Sequence, residues 1–120
     1  MSKSSVIILS GNPLSTGNIY ATGFHGGFAK RYMKPQGRTM KESYQWQAKS
    51  QWKSKVTDKD ISISVHLYFG DKRKRDIDNY HKLSLDALTG IVWEDDSQIQ
   101  EMHIKKGYDK ENPRIEIEVL

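Results

Sequence analysis

The sequence predicts an α+β domain in which one mixed β-sheet carries two α-helices on one face. The clearest observation is the strict alternation of apolar and polar residues over 61–69 (ISISVHLYF), which is typical of a half-buried strand. A second observation is an apolar residue at every fourth position of 40–52, which indicates one face of a helix. The chain has 120 residues, so we expect one domain over 1–120.

The first part of the chain predicts a strand followed by a surface ribbon. The strand covers Ser5 to Leu9, a short run rich in β-branched residues that ends at Ser10-Gly11-Asn12-Pro13. Residues 11–34 are rich in glycine and aromatic residues, which favours an irregular ribbon on the surface. Gly26-Gly27 within this ribbon indicates a hairpin turn.

The first helix is predicted to begin at Thr39, because Thr39 to Glu42 has the T-x-x-E form of a capping box. The preceding Pro35-Gln36-Gly37 is interpreted as a break, and the helix is expected to run to about Lys55. Trp46 lies off the apolar face, so we expect it to pack on a neighbouring element rather than to stack on a nucleic-acid base.

The second half of the chain predicts a strand, a helix and two more strands. The strand is the alternating segment 61–69, and the helix runs from Asn79 to about Gly90, where the glycine ends it. The final strands cover 98–106 and 114–120, and the last one alternates with its isoleucines and Val119 facing inward. The predicted order is therefore β, ribbon, α, β, α, β, β.

The net charge of +4 and the sequence pI of about 9.2 favour a polyanionic partner. The basic residues form a dense run and a looser group. The dense run is Lys72, Arg73, Lys74 and Arg75, and the looser group includes Lys30, Arg31 and Lys34. For the looser group, a solvated face of the ribbon is an equal alternative to nucleic-acid binding.

Several classes of function lack a signal in the sequence. The absence of cysteine excludes disulfides and thiolate metal ligands. There is no apolar stretch of about 18 residues that could span a membrane, and the N-terminal apolar run is too short for a signal peptide. We therefore expect a soluble, cytoplasmic protein. No phosphate-cradling P-loop, nucleophile elbow or zinc spacing is present, so no nucleotide cofactor is expected.

Acidic residues gather directly behind the dense basic run. Asp76 and Asp78 lie two positions apart, so an extended backbone would point both carboxylates to the same side. Asp95 and Asp96 lie in the turn after the second predicted helix. Whether the two pairs meet depends on the path of the chain, and spacing alone leaves two interpretations open.

In the first interpretation the acids are structural. Asp76 or Asp78 would cap the second helix, a position where aspartate is favoured. Lys82 would form exposed i,i+4 pairs with Asp78 and Asp86. The acids at 95–96 would be ordinary turn residues.

In the second interpretation the acids hold a divalent metal ion. Mg²⁺ prefers oxygen ligands and is commonly bound through carboxylates, waters and substrate phosphate. Such an ion would orient a water for attack on a phosphodiester. Lys82 would lie over the same phosphate, and the basic run 72–75 would hold the backbone of the polyanion.

The segment RDIDNYHKLSLDALTG-IVWEDDSQI resembles the signature of RusA-type Holliday junction resolvases, small endodeoxyribonucleases often carried by phages and prophages. The shared pattern is D-x-D-N-x-x-K-x-x-x-D-A-L, followed after a short stretch by D-D-x-Q. The resemblance implies a homodimer that binds four-way DNA junctions in recombination and repair. It also implies that two opposing strands are nicked with Mg²⁺, for which Mn²⁺ is a candidate substitute.

The resemblance also assigns roles to individual residues. Asp76 and Asp78 match the first two catalytic, metal-binding aspartates, and Lys82 matches the essential lysine. Asp96 matches the third carboxylate, with its neighbour Asp95 as the alternative. Asp86 would be a partner for the lysine, and the dense basic run would contact DNA.

Two rival functions stay open at this point. The first is a branched-DNA-binding module without catalysis, in which the acids only cap and brace. The second is a related nuclease that cuts another nucleic-acid structure with the same site. The dimer interface is not placed, although the aromatic-rich segment 19–33 and the strand 98–106 are candidates.

Overall fold

The computed structural model of the protein describes residues 5–120, so residues 1–4 of the predicted domain lie outside the described part. The strands are β1 (Ser5–Ser10), β2 (Tyr20–His25), β3 (Phe28–Met33), β4 (Ile61–Phe69), β5 (Ile99–Tyr108) and β6 (Arg114–Val119). The helices are α1 (Thr16–Ile19), α2 (Pro35–Gln51) and α3 (Lys82–Leu88), with short 3-10 helices at Ile77–Asn79 and Asp96–Gln98. This order agrees with the predicted one, to which it adds α1.

The main sheet has four strands in the order β1-β6-β4-β5. β6 runs antiparallel to both β1 and β4, whereas β5 runs parallel to β4. The register aligns Ile7, Ile117 and Val65 across three strands, and all three side chains are buried. The predicted mixed sheet of an α+β fold is therefore confirmed, and the alternation over 61–69 places its apolar residues on the covered face.

Helices α2 and α3 cover that face and contact each other. Tyr44 and Ala48 of α2 are buried in the same core as Ala87 and Leu88 of α3. Burial of one large apolar side chain stabilises the fold by about 1.5–3 kcal/mol, so these contacts hold α3 firmly on the sheet. The loops at both ends of α3 are thereby placed at defined positions.

The predicted start of α2 at a capping box on Thr39 is wrong. The helix begins at Pro35 and ends at Gln51, so Thr39 lies inside it. Proline is well suited to a first helical position, because its fixed φ is helical and its missing N–H would have no partner there. Gly37 is buried in the first turn, where a Cβ would lie 2.6 Å from Cγ2 of Ile19.

The ribbon over 11–34 is more regular than predicted. β2 and β3 form an antiparallel hairpin apart from the main sheet. Gly26 and Gly27 have φ values of 61° and 84° at its turn, so the predicted hairpin turn is confirmed as one with positive φ at both central residues. The predicted packing of Trp46 on a neighbour is wrong, because its side chain is 75% exposed on α2.

The second predicted helix is shorter than expected from Asn79 to Gly90. A 3-10 turn over Ile77–Asn79 comes first, in which the Asn79 N–H donates to the carbonyl of Asp76 at 3.2 Å. The α-helix begins only at Lys82 and ends at Leu88. Gly90 follows with a φ of 89°, so its predicted role as the stop is confirmed. Within residues 5–120, no helix is both long and apolar enough to cross a membrane.

Candidate active site

In the basic run that follows β4, the side chain of Arg75 is enclosed by neighbouring residues. The side chain of this arginine is only 8% exposed, and its guanidinium lies 2.8 Å from Asp71 and 4.3 Å from the ring centre of Phe69. Arg73 also pairs with Asp71, at 3.1 Å. Hydrogen bonds, mainly from Arg73 and to a smaller extent from Arg75, hold the pKa of Asp71 far below its usual value. Arg75 therefore braces this segment, and it also lines the hollow of Asp76, so its contact with DNA stays a prediction.

The other cations of the run face solvent. Lys72 lies with its Nζ 5.0 Å from the ring centre of Tyr108, and Lys74 is exposed without an ion pair to any described residue. The side chain of Arg73 is 77% exposed despite its contact with Asp71. Lys72, Arg73 and Lys74 therefore remain available to a polyanion.

The carboxylates of Asp76 and Asp78 do not cap a helix. Asp76 precedes the 3-10 turn Ile77–Asn79, but its side chain makes no capping hydrogen bond there. α3 starts after His81, which also makes no side-chain cap. Asp78 makes no pair with Lys82, and both aspartates are exposed, with no hydrogen-bond or ion-pair partner for either carboxylate among residues 5–120. The structural interpretation is therefore wrong for these two residues.

Asp76 lies in a hollow of about 660 Å³ where three parts of the chain meet. The hollow is lined by Ser15, Thr16, Gly17, Lys74, Arg75, Asp76, Asn79, Tyr80 and Lys106. Thr16 Oγ1 donates to the carbonyl of Asn79 at 3.2 Å, and Lys106 Nζ donates to the carbonyl of Arg75 at 2.6 Å. These contacts hold α1 and β5 beside the acid. Sequence reasoning missed Thr16 and Lys106, because both are distant from Asp76 along the chain.

Asp96 is oriented by the core. Its Oδ1 accepts from the indole Nε1 of Trp93 at 3.0 Å and from Oγ1 of Thr89 at 2.8 Å. Trp93 is completely buried, so it holds the carboxylate in a fixed direction. The other oxygen, Oδ2, lies 3.9 Å from Nζ of Lys82. Sequence reasoning did not identify Trp93 and Thr89, although a tryptophan two residues before an acidic pair was a visible signal.

Asp95, unlike Asp96, caps a turn. It begins the 3-10 turn Asp96–Gln98 with a capping box, in which its Oδ2 accepts from the N–H of Ser97 at 3.0 Å. Gln98 Oε1 accepts from the N–H of Asp95 at 2.7 Å, and Gln98 Nε2 donates to the carbonyls of Thr57 and Lys59. Hydrogen bonds from Ser97 lower the pKa of Asp95. The arrangement thus favours Asp96 over Asp95 as the acid that faces Lys82.

Lys82 is held between two acids. Its Nζ donates to Oδ1 of Asp86 at 2.9 Å, and Asp86 Oδ2 accepts from the hydroxyl of Tyr20 at 3.2 Å. The hydrogen bond with Asp86 raises the pKa of Lys82 above its usual value, so the ammonium stays charged at neutral pH. Burial, and next the Asp86 charge, raise the pKa of Tyr20. The predicted pairing of Lys82 with Asp86 is therefore confirmed, and Lys82 and Asp96 share a second hollow of about 340 Å³.

The predicted acids are not gathered into one ready-made cage. Asp76 lines the first hollow and Asp96 the second, and no group of three acids or histidines among the described residues is close enough to hold a metal ion. The chemistry of the donors nevertheless fits a hard cation. Asp76 and Asp78 have uncommitted carboxylates, and Asp96 keeps one oxygen away from its two donors.

The cations of the ribbon differ in how they are held. The guanidinium of Arg31 lies 4.2 Å from the ring centre of Tyr20, and Lys34 Nζ donates to the carbonyl of Gly17 at 3.2 Å. Lys30 is exposed on β3. Arg31 and Lys34 therefore support the base of the hairpin beside the first hollow.

Comparison with known proteins places these residues in context. The model of the family described as Endodeoxyribonuclease RusA matches residues 10–120. The crossover junction endodeoxyribonuclease RusA of Aquifex aeolicus is 29% identical over 93 residues, which cover 68% of this chain and 73% of that protein. The crossover junction endodeoxyribonuclease of Enterobacteria phage 82 is 33% identical over 60 residues, and that of Escherichia coli K12 is 32% identical over 60 residues. These last two alignments span 50% of each relative.

Proposed function

Because the chain belongs to the Endodeoxyribonuclease RusA family, it is a nuclease that hydrolyses DNA phosphodiester bonds, and we propose that it resolves four-way DNA junctions. The resemblance seen in the sequence is thus confirmed. The crossover junction names of the relatives agree with the predicted junction-resolving function in recombination and repair. The phage relative agrees with the resemblance to a family often carried by phages and prophages, from which we infer a phage or prophage origin. A DNA substrate agrees with the expected cytoplasmic location.

The observation that carries the proposed site is the unpaired state of Asp76 and Asp78. Within residues 5–120 their carboxylates neither cap a helix nor pair with a cation, although Lys74, Arg75 and Lys106 line the hollow that contains Asp76. Two exposed like charges two residues apart repel each other, so they add nothing to the fold. A bound divalent cation would relieve this repulsion.

The divalent metal of this nuclease would be held by Asp76, Asp78 and Asp96, and we expect Mg²⁺, with Mn²⁺ as a substitute. When bound, such an ion supplies a water of lowered pKa and offsets the charge that develops on the phosphate. Trp93 and Thr89 both donate to Oδ1 of Asp96, which leaves Oδ2 of this carboxylate for the metal. Since Asp76 and Asp96 line two different hollows, the proposal requires the acids to approach each other when metal and DNA bind.

Lys82 would contact the phosphate at the cleaved bond. Asp86 holds its ammonium, and the raised pKa keeps the charge present at neutral pH. A fixed cation beside a reacting phosphate stabilises the charge of the transition state. The exposed cations Lys72, Arg73 and Lys74 would bind the DNA backbone next to the acids.

We expect the active form to be a homodimer, because two opposing nicks require two sites. β5 lies at an edge of the main sheet, and residues 99–102 at its start line the hollow of Lys82 and Asp96. This edge is consistent with the predicted candidate interface 98–106. The mass in solution, measured by light scattering at micromolar concentration, tests the dimer, and a monomeric mass would count against it.

The decisive experiment uses a labelled synthetic four-way junction and a linear duplex of the same sequence. We expect symmetric nicks in the junction only, and only when Mg²⁺ or Mn²⁺ is added. Tight binding of the junction without any cleavage would instead favour the DNA-binding module without catalysis. Preferential cleavage of flaps or of RNA would favour the related nuclease with another substrate.

The same assay with Asp76→Asn tests the metal site. We expect cleavage to fall by about three orders of magnitude or more, while junction binding is kept or becomes tighter because a repelling charge is removed. Asp58→Asn is the matched control, since Asp58 is an exposed aspartate in the turn before β4. Full activity of Asp76→Asn would refute the proposed site.

A further inference from the structure

The hairpin of β2 and β3 presents two phenylalanines to solvent at its tip. Phe24 is 80% exposed and Phe28 is 78% exposed, on either side of the Gly26-Gly27 turn. In the register, Phe24 lies opposite Ala29 and Phe28 lies opposite His25, so the two phenylalanines point to opposite faces of the ribbon. A phenylalanine stabilises a fold mainly through burial, so these two contribute little to folding. Their placement points to a binding role.

The tip is held in a defined shape. The two-residue turn has positive φ at both glycines, which matches the twist of the two strands. Further down, Tyr32 lies across Gly23, where a Cβ would come within 3.1 Å of its ring. Tyr32 is itself 49% exposed and shares the face of Phe28. The hairpin therefore presents aromatic rings on a stiff support.

The charge of the hairpin indicates its partner. Residues 20–33 contain Lys30 and Arg31 but no acidic residue. The register places Lys30 on the face of Phe28 and Arg31 on the face of Phe24, so each face combines an aromatic ring with a cation. Aromatic rings next to cations are the combination that binds unpaired nucleic-acid bases, by stacking on the base and attraction to the backbone.

The hairpin of β2 and β3 also starts beside the hollow that contains Asp76. α1 directly precedes β2, and its residues Thr16 and Gly17 line the hollow that contains Asp76. Five residue steps separate Tyr20 from His25, which is about 17 Å of extended chain. The hairpin is thus carried by a support that begins at the rim of the Asp76 hollow, and its tip lies about one strand length along the ribbon from that support.

We propose that the hairpin tip enters the branch point of the junction, where Phe24 and Phe28 stack on bases that have lost their neighbours. This inference rests on the proposed function, since it names the part of a branched DNA that the hairpin recognises. Linear duplex offers no unstacked base, so the tip supplies preference for branched DNA. The catalytic acids and Lys82 supply the reaction.

The test compares wild type with Phe24→Ala/Phe28→Ala in EDTA, so that binding is measured without cleavage. Affinities for a four-way junction and for linear duplex are measured by fluorescence anisotropy, and the junction carries 2-aminopurine at the branch point. We expect the variant to bind the junction about a hundredfold more weakly, at roughly tenfold for each stacked base, with duplex affinity unchanged. The change in 2-aminopurine emission on binding should also disappear.

Two further variants separate base stacking from general apolar contact and from the loss of any exposed ring. Phe24→Leu/Phe28→Leu keeps apolar surface but has no flat ring, so we expect it to lose junction preference like the alanine variant. Trp46→Ala removes an equally exposed aromatic from α2 and should change neither affinity. Melting temperatures should stay at the wild-type value, because Phe24 and Phe28 are exposed.

Three outcomes would overturn the inference. The first is unchanged junction affinity of the alanine variant, and the second is an equal loss for junction and duplex. The third is a lowered oligomeric mass that the leucine variant restores, which would assign the tip to a contact between two copies of the chain. Since binding is read without metal, a failure of the wild type to cleave junctions would refute the proposed function separately.

Discussion

The indole N–H of Trp93 lies 3.0 Å from Oδ1 of Asp96. Trp93 is a wholly buried core residue, while Asp96 is a half-exposed acid that faces Lys82. The side chain of Trp93 therefore packs in the core under α3 and also orients the carboxylate of Asp96. Thr89 adds a second contact to the same oxygen at 2.8 Å, which leaves Oδ2 as the oxygen directed away from the core.

Replacement of Thr89 by valine should weaken the hold on Asp96. Thr89→Val keeps the shape of the side chain but removes the hydroxyl, so the carboxylate keeps only its contact with Trp93. We expect cleavage of the junction to fall by about tenfold at limiting Mg²⁺ and to recover in part at high Mg²⁺, as for other groups that orient metal ligands. The rate is measured as a function of Mg²⁺ concentration.

Thr39→Val is the control for this prediction, because Thr39 is exposed on α2. It should leave the Mg²⁺ dependence unchanged. If Thr89→Val also shows the wild-type dependence, the hydroxyl does not position Asp96 for metal binding.

Lys82 and Asp86 should differ in how strongly they affect cleavage. Lys82→Met removes the cation, so we expect a loss of about a hundredfold or more in the single-turnover rate. Asp86→Asn leaves the lysine in place but weakens its anchor, so we expect a loss of about tenfold. Both rates are measured on the junction at saturating Mg²⁺.

Lys110→Met serves as the control, since Lys110 is an exposed lysine beyond β5. Equal losses for Lys82→Met and Asp86→Asn would mean that the pair acts as one structural unit. The proposed contact of Lys82 with phosphate would then lose its support.

Gly37→Ala should destabilise the protein, although alanine normally favours a helix. The added Cβ would lie 2.6 Å from Cγ2 of Ile19 and 3.2 Å from its carbonyl oxygen, so α1 and α2 would have to separate. We expect a loss of about 1–3 kcal/mol in the free energy of unfolding, as for other overpacked sites. Urea denaturation measures this loss, and the neighbouring exposed Gln36→Ala is the control. Wild-type stability of Gly37→Ala would show that this contact relaxes freely.

His66 should make stability fall in mild acid. Burial, followed by Lys105, lowers the pKa of His66 from its ordinary 6.5, while Glu116 opposes this shift and Arg114 adds to it. The unfolded chain therefore binds a proton more readily than the folded one. The stabilising contribution is present above about pH 6.5 and is lost as the pH falls through the folded pKa.

The measurement for His66 is the urea midpoint at pH 7 and pH 5. We expect His66→Gln to show a smaller decrease than the wild type between the two values. His103→Gln should behave like the wild type, because the side chain of His103 is 66% exposed. A decrease of the same size in His66→Gln would assign the acid sensitivity to other groups.

The fold could be predicted where a local pattern had one physical cause. β4 was predicted with its observed bounds, because one face of the strand is buried and the alternation records this directly. The start of α2 was misplaced, because a proline such as Pro35 can either interrupt a helix or occupy its first turn. The shortened α3 was also missed, since a 3-10 turn and an α-helix share the same sequence signals here.

The sequence by itself determined the kind of chemistry. The aspartates at 76, 78 and 96, the lysine at 82 and the hairpin turn could all be identified from the sequence. Spacing and residue type along a short segment are enough to define such motifs. The tertiary structure alone decided how these groups are held. The contact of Trp93 with Asp96, the enclosure of Arg75 and the approach of Thr16 to the Asp76 hollow all depend on how the chain packs. Such contacts join residues through a shared core or surface, and local periodicity carries no record of which distant segments will meet.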